Sequence, residues 1–243
     1  MNRQAQAAVL FLIGAALLHA GFTDLYLRYV KAGLRPLLLA AGAVLILTAL
    51  ATAWYEWKRG RRKPSPDTED HGPAHREPRI SWLLILPLLA LILVAPPALG
   101  SYSAMRTGTA LQQPYGYASL PAGDPVSIGL VDYAGRAVYD HGRSLGGRQV
   151  RITGFVALDR AGTPYLVRMA LNCCAADAQP VKIGLTGRIP PVLQPDSWLE
   201  VTGTYTAKQV PDPVNHGPIP FVKVTAARPV PTPHDPYDET WNN

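Results

Sequence analysis

Residues 165–181 read YLVRMALNCCAADAQPV. The run opens as an apolar strand over residues 165–172 and passes through the chain's two cysteines, Cys173 and Cys174. Asp177 follows at close range, Pro180 closes the local turn, and a second apolar run covers residues 181–186. In an extended strand successive side chains point to opposite faces. The sequence therefore predicts one sulfur toward a core and the other outward.

Outward from this segment the pattern is of short alternating runs broken by glycine. Residues 145–158, LGGRQVRITGFVAL, alternate Val150 and Ile152, then give Phe155 after Gly154. Residues 198–206, WLEVTGTYT, repeat that scheme, and residues 221–226 form a fifth run. Glycine inside a strand marks a bulge or a tight bend of a small barrel. Five such strands predict an all-β OB-like barrel over residues 145–228. A juxtamembrane connector over 100–144 precedes it, and a Pro-rich tail over 229–243 follows as a surface strap.

The amino-terminal part has a different composition. Apolar runs cover residues 7–22, 34–55 and 80–99. A membrane-crossing helix needs about 20 predominantly apolar residues. The expected fold class is therefore mixed, with three N-terminal transmembrane α-helices ahead of the barrel. The first two spans form a hairpin within residues 1–57, residues 58–79 a basic linker, and 80–99 the third span, ended by Pro96-Pro97. A cleaved signal peptide competes with the first span. An uncleaved hairpin is favoured because Arg3 is the one cation ahead of the run and a second span follows at once. Trp54, Tyr55, Trp57 and Trp82 flank the cytoplasmic ends, as interfacial aromatics do.

The formal charge is +6, which raises a nucleic-acid reading. Its distribution removes it. Residues 1–99 hold 11 Lys and Arg against six acids, whereas 100–243 hold 12 against 11. The excess is a topology signal rather than a phosphate-binding groove. Seven cations lie in 58–79 and three in the first loop. Cation-rich loops stay in the cytoplasm, so a multi-pass cell-membrane protein is expected, with its carboxy-terminal domain extracytoplasmic. The linker's Asp67, Glu69, Asp70, His71 and His75 are read as a solvated loop rather than a metal site.

Adjacent cysteines cannot staple distant parts of a chain. Three uses remain open for Cys173 and Cys174. They can pack as small hydrophobes. They can join Asp177, or a histidine such as His141, His216 or His234, around zinc or another soft metal. They can also form a strained vicinal disulfide or an exchanging thiol pair. Arg168 is expected to pair with Asp177 across the turn or to meet a ligand. His19 lies inside a span, where ionisable residues are often functional, although a neutral histidine bonded to a neighbouring helix is the simpler reading. No G-x-S-x-G, Walker loop or H-E-x-x-H occurs, so no enzyme is expected.

Several motifs together resemble a known family of bacterial membrane proteins. They are Gly154-Phe155-Val156, then Arg168 leading to Cys173-Cys174-Ala175-Ala176-Asp177-Ala178-Gln179-Pro180, then Trp198-Leu199-Glu200-Val201-Thr202-Gly203 and Pro236-Tyr237. His19-Ala20-Gly21, Arg35 and Leu99-Gly100-Ser101 fit in the helical part. The chain is similar to the YcgQ-type subunits of a two-component membrane permease, departing at Met169 where an aromatic commonly follows the arginine. The resemblance implies an accessory subunit held in the lipid bilayer beside a polytopic permease, with the β-domain presented for ligand, metal or partner recognition. The alternative is an extracytoplasmic metal- or thiol-handling membrane protein that acts without a permease.

Overall fold

The computed structural model describes residues 3–61, 85–94 and 96–238, which divide into two compact units. The linker acids and histidines at 67–75, and Trp82, lie outside the described residues.

The first unit comprises residues 1–26 and 32–97. Helix α1 spans Arg3–Phe22 and helix α2 spans Arg35–Gly60, preceded by a 3-10 turn at Ala32–Leu34. Both are long and apolar enough to cross a membrane. Small residues let them approach closely. Ala7, Gly14 and Gly21, seven apart, are the buried stripe of α1, and Gly42 and Ala49 are buried on α2. A methyl group added at Gly14 would stand 3.0 Å from the Gly42 carbonyl oxygen. Helices in lipid associate through such tight contacts because apolar burial between them gains little. The hairpin is fastened at both ends. Arg35 Nε donates to the Gly21 carbonyl at 2.9 Å, satisfying an orphan acceptor at the end of α1. Arg3 pairs with Glu56 at 2.9 Å.

A third helix, α3, spans Ile85–Val94. Among the described residues two helices, rather than the expected three, are candidate membrane spans. Trp54, Tyr55 and Trp57 are exposed on the last turns of α2, with Lys58 over Trp54 and Arg61 over Trp57.

The second unit holds residues 27–31 together with everything from Ala98. Five strands build its barrel: β2 Val150–Leu158, β3 Pro164–Ala170, β4 Gln179–Gly187, β5 Trp198–Pro211 and β6 Pro218–Pro229. They pair in the order β2-β5-β6-β4-β3, and a β2–β3 pairing closes the ring. The β4–β6 pair is parallel and the others antiparallel. The expected five-stranded barrel is present, with β4, β5 and β6 longer than the apolar runs suggested and β2 and β3 shorter. Gly203 sits where the β5–β6 register shifts, and a Cβ there would lie 2.5 Å from the Lys223 carbonyl oxygen. That is the bulge the glycine-broken pattern implied.

Three further pieces complete the unit. Helix α4 spans Ser101–Arg106, and strand β1, Val126–Ser127, runs parallel to β2. Helix α5, Leu130–Tyr139, packs Leu130, Tyr133, Ala134 and Ala137 into the core formed with Val150, Ile152, Leu166, Ile183 and Val201. A second cluster joins Phe155, Val167, Met169, Trp198, Ile219 and Tyr237. Tyr237 belongs to β7, Tyr237–Asp238, which runs parallel to β3. The Pro-rich segment is therefore tied down here by a buried aromatic.

Candidate functional site

Between β3 and β4 the chain does not continue as a strand. Residues 171–178 turn, because the Asp177 carboxylate accepts hydrogen bonds from the backbone N–H of Asn172 at 3.1 Å and of Cys173 at 2.9 Å. The Asp177 N–H donates back to the Cys174 carbonyl at 3.0 Å. An acid that captures main-chain donors a few residues away is a turn former, competing with the ladder. The alternating placement of the two sulfurs is thereby overturned. Both thiols and the carboxylate present ligand atoms within 4.8 Å of one another.

Cys173 is exposed and Cys174 half-buried, and both are free thiols. Neither is a core residue. Ala175 and Ala178 supply the apolar side of the turn and pack against the second cluster. The Cys173 thiol is pushed up to about 12 by its hydrogen bond to Asp177 and by the neighbouring Cys174. Partial burial opposes ionisation of Asp177, yet the bonds from the Cys173 thiol and from the N–H groups of Cys173, Asn172 and Cys174 hold it below the usual carboxylate range. A thiol that keeps its proton beside a carboxylate is a poor resting nucleophile. Two sulfurs and one oxygen converging from a short turn match the donor types that borderline and soft cations take.

The other predicted participants fall elsewhere. Arg168, on β3, donates to the Tyr237 carbonyl at 2.8 Å and the Asp235 carbonyl at 3.4 Å, and stacks 5.0 Å over Trp198. It does not pair with Asp177; its partners fasten β7 to the barrel. Burial disfavours its charge and lowers its pKa, with Asp238 and Asp235 opposing that in part. Among the described residues the metal-competent group contains no histidine. His141 and His216 occupy left-handed turn positions, φ 50° and 59°, a conformation that histidine adopts more readily than most residues. His19 is exposed on α1 and belongs to the helical unit.

The sequence reading overlooked what holds the turn from its other side. Val30, in the linker between α1 and α2, forms an antiparallel bridge with Cys174. The Lys31 N–H donates to the Cys173 carbonyl at 3.0 Å, and the Ala175 N–H donates to the Tyr29 carbonyl at 2.7 Å. The Tyr237 hydroxyl gathers the same region: it donates to the Arg28 carbonyl at 3.0 Å and accepts from the Leu99 N–H at 3.2 Å. Replacing Tyr237 by Phe keeps the ring and deletes both bonds. The expected cost is about 2 kcal/mol, because two part-buried main-chain groups lose their partner. Guanidinium unfolding of the detergent-solubilised chain should show that loss, with faster tryptic cleavage after Arg28 and Lys31; unchanged curves would mean that water replaces the hydroxyl.

A DUF1980 C-terminal domain is found at residues 133–238. The matched stretch contains all five barrel strands, the cysteine turn and β7. No curated protein and no solved structure matches the chain.

Proposed function

We propose that the chain is the accessory subunit of a YcgQ-type membrane permease, anchored by its helical hairpin, and that its barrel offers Cys173, Cys174 and Asp177 to a soft metal ion. The observation that carries the metal part is the convergence of three donor atoms within 4.8 Å on one turn. The permease partner rests on the resemblance of the double-Cys, Trp-x-x-Val-x-Gly and Pro-Tyr motifs. The role is capture and presentation, with no bond made or broken. Cys173 and Cys174 would bind as thiolates and Asp177 would complete a three-donor set, leaving a position open to a partner or to water.

Connectivity supports the same side for the hairpin linker and the barrel. Residues 27–31 join α1 to α2 and belong to the compact unit of the barrel. If both helices cross the bilayer, the chain leaving α2 emerges on the face opposite that linker. A barrel bonded to the linker then lies on the face opposite the chain that leaves α2. With the cation-rich 58–79 segment inside, that arrangement puts the barrel outside.

The alternative is a metal- or thiol-handling membrane protein acting alone, favoured by the fact that all three donors come from this chain. Purification in mild detergent separates the two. A stoichiometric polytopic permease in the complex supports the subunit reading, whereas bound metal without such a partner supports the alternative. An impermeant reagent applied to intact cells should label a tag fused after Asn243; a shielded tag would overturn the external placement.

A further inference from the structure

The hydrogen bonds around Cys174 have a consequence for the site. The Cys173 carbonyl belongs to the peptide unit before Cys174, and the Ala175 N–H to the unit after it. Both are held by the helix-linking segment, through Lys31 and Tyr29. Fixing the two flanking peptide planes fixes the φ and ψ of Cys174, and hence the direction of its Cα–Cβ bond. On the other side of the turn, Asp177 holds the N–H groups of Asn172 and Cys173. Cys173 is thus flanked by one peptide plane held within the turn and one held by the linker, whereas both planes flanking Cys174 are held by the linker.

We infer that docking of residues 29–31 and occupation of the cysteine turn by a metal ion stabilise each other, so that the linker between the two apolar helices reads the state of the site. The inference rests on the reading of Cys173, Cys174 and Asp177 as a soft-metal site. The physical ground is preorganisation: donors already aligned lose less freedom on binding. Linkage makes the effect reciprocal, so whatever factor the docked linker adds to metal affinity, bound metal returns to docking. The linker is covalently continuous with the 3-10 turn that follows α1 and with the one that precedes α2. A filled site therefore holds the hairpin's turn more firmly than an empty one.

The test uses the full chain in detergent with Cd2+ alone as the probe, followed by its thiolate charge-transfer absorption. Lys31→Pro removes the N–H that bonds the Cys173 carbonyl, while Lys31→Ala keeps it. The expected result is a Cd2+ affinity reduced about tenfold in Lys31→Pro, within the usual range of coupling between sites, and unchanged in Lys31→Ala. Equal losses in the two variants would assign the effect to the side chain and overturn the main-chain coupling. Hydrogen exchange on the unaltered protein guards against a misfolded variant. Cd2+ should slow exchange of the Lys31 and Ala175 amides by about the same tenfold. Cd2+ binding with unaltered exchange at both amides and unaltered affinity in Lys31→Pro overturns the coupling and leaves the metal site standing. Absence of any thiolate band in the unaltered protein overturns the metal site, and the coupling with it.

Discussion

Lys182→Met should destabilise the barrel unit by about 3–5 kcal/mol, the cost of leaving a buried charge without its counter-ion. Lys182 and Asp212 are 1% and 0% exposed at their side chains and lie 2.7 Å apart. Lys182 Nζ also donates to the Thr107 carbonyl at 2.8 Å. Asp212 in turn accepts from the N–H of Thr109 at 2.9 Å and of Val214 at 2.8 Å. The pair thereby fastens the segment after α4 and the β5–β6 turn to β4. Against a total stability of about 5–15 kcal/mol, the single substitution removes a large share, and thermal unfolding should fall by roughly 10 °C. Lys182→Met with Asp212→Asn should recover part of the loss, since a neutral amide can still accept one of the N–H bonds. Burial opposes ionisation of Asp212, but the bonds from Lys182 and from the Val214 and Thr109 N–H groups win, and its carboxyl lies below the ordinary value. A depressed native pKa stabilises the fold at pH above the unfolded value of about 4. That stabilisation is lost as pH falls through the native value, so the gap between Lys182→Met and the parent protein should narrow in acid. A loss below about 1 kcal/mol at neutral pH is what a solvated surface pair would give, and would refute the buried network.

Lys182 also shows where reading a sequence stops. In Val181-Lys182-Ile183 the alternation is plain, and a lysine between two apolar residues reads as an outward, solvated position. It does point away from the barrel core, but Thr107 and Thr109 cover it. Coverage by a distant segment leaves no local trace. The five barrel strands were legible because each carries period-two apolar residues and a punctuating glycine or proline nearby. Helix α5 was missed although Leu130, Ala134 and Ala137 fall on one helical face. Gly135 inside it and the Pro- and Gly-rich run before it drew the whole of 100–144 into a connector. The turn at the cysteines did have a local cue, Asp177 four residues after Cys173, which outcompetes strand continuation by capturing two N–H groups. The bridge from Val30 had none, because pairing across more than 140 residues depends on the finished fold. Of the third apolar run, 80–99, the described part Ile85–Val94 is helical, and the rest of the run lies partly outside the described residues.

Cys173→Ser and Cys174→Ser should each weaken Cd2+ binding by at least about 100-fold, because a hydroxyl does not replace a thiolate toward a soft cation. Asp177→Asn should act differently on the metal-free protein. The carboxylate holds the Cys173 proton, so at pH 8 the thiol of the parent chain is almost wholly protonated. Removing that acceptor lets the group fall back toward the ordinary thiol value of about 8.5, and alkylation by iodoacetamide at pH 8 should accelerate at least about tenfold. The carboxylate thus has opposite effects in the two states. It suppresses the reactivity of the empty site, and it contributes the third donor to the filled one. A redox pair needs an accessible thiolate at rest, and the parent protein's slow alkylation would speak against that use. Fast alkylation of Cys173 in the parent chain, together with serine variants that bind Cd2+ as tightly as it does, would remove the metal reading and leave exchange chemistry as the use of the two sulfurs.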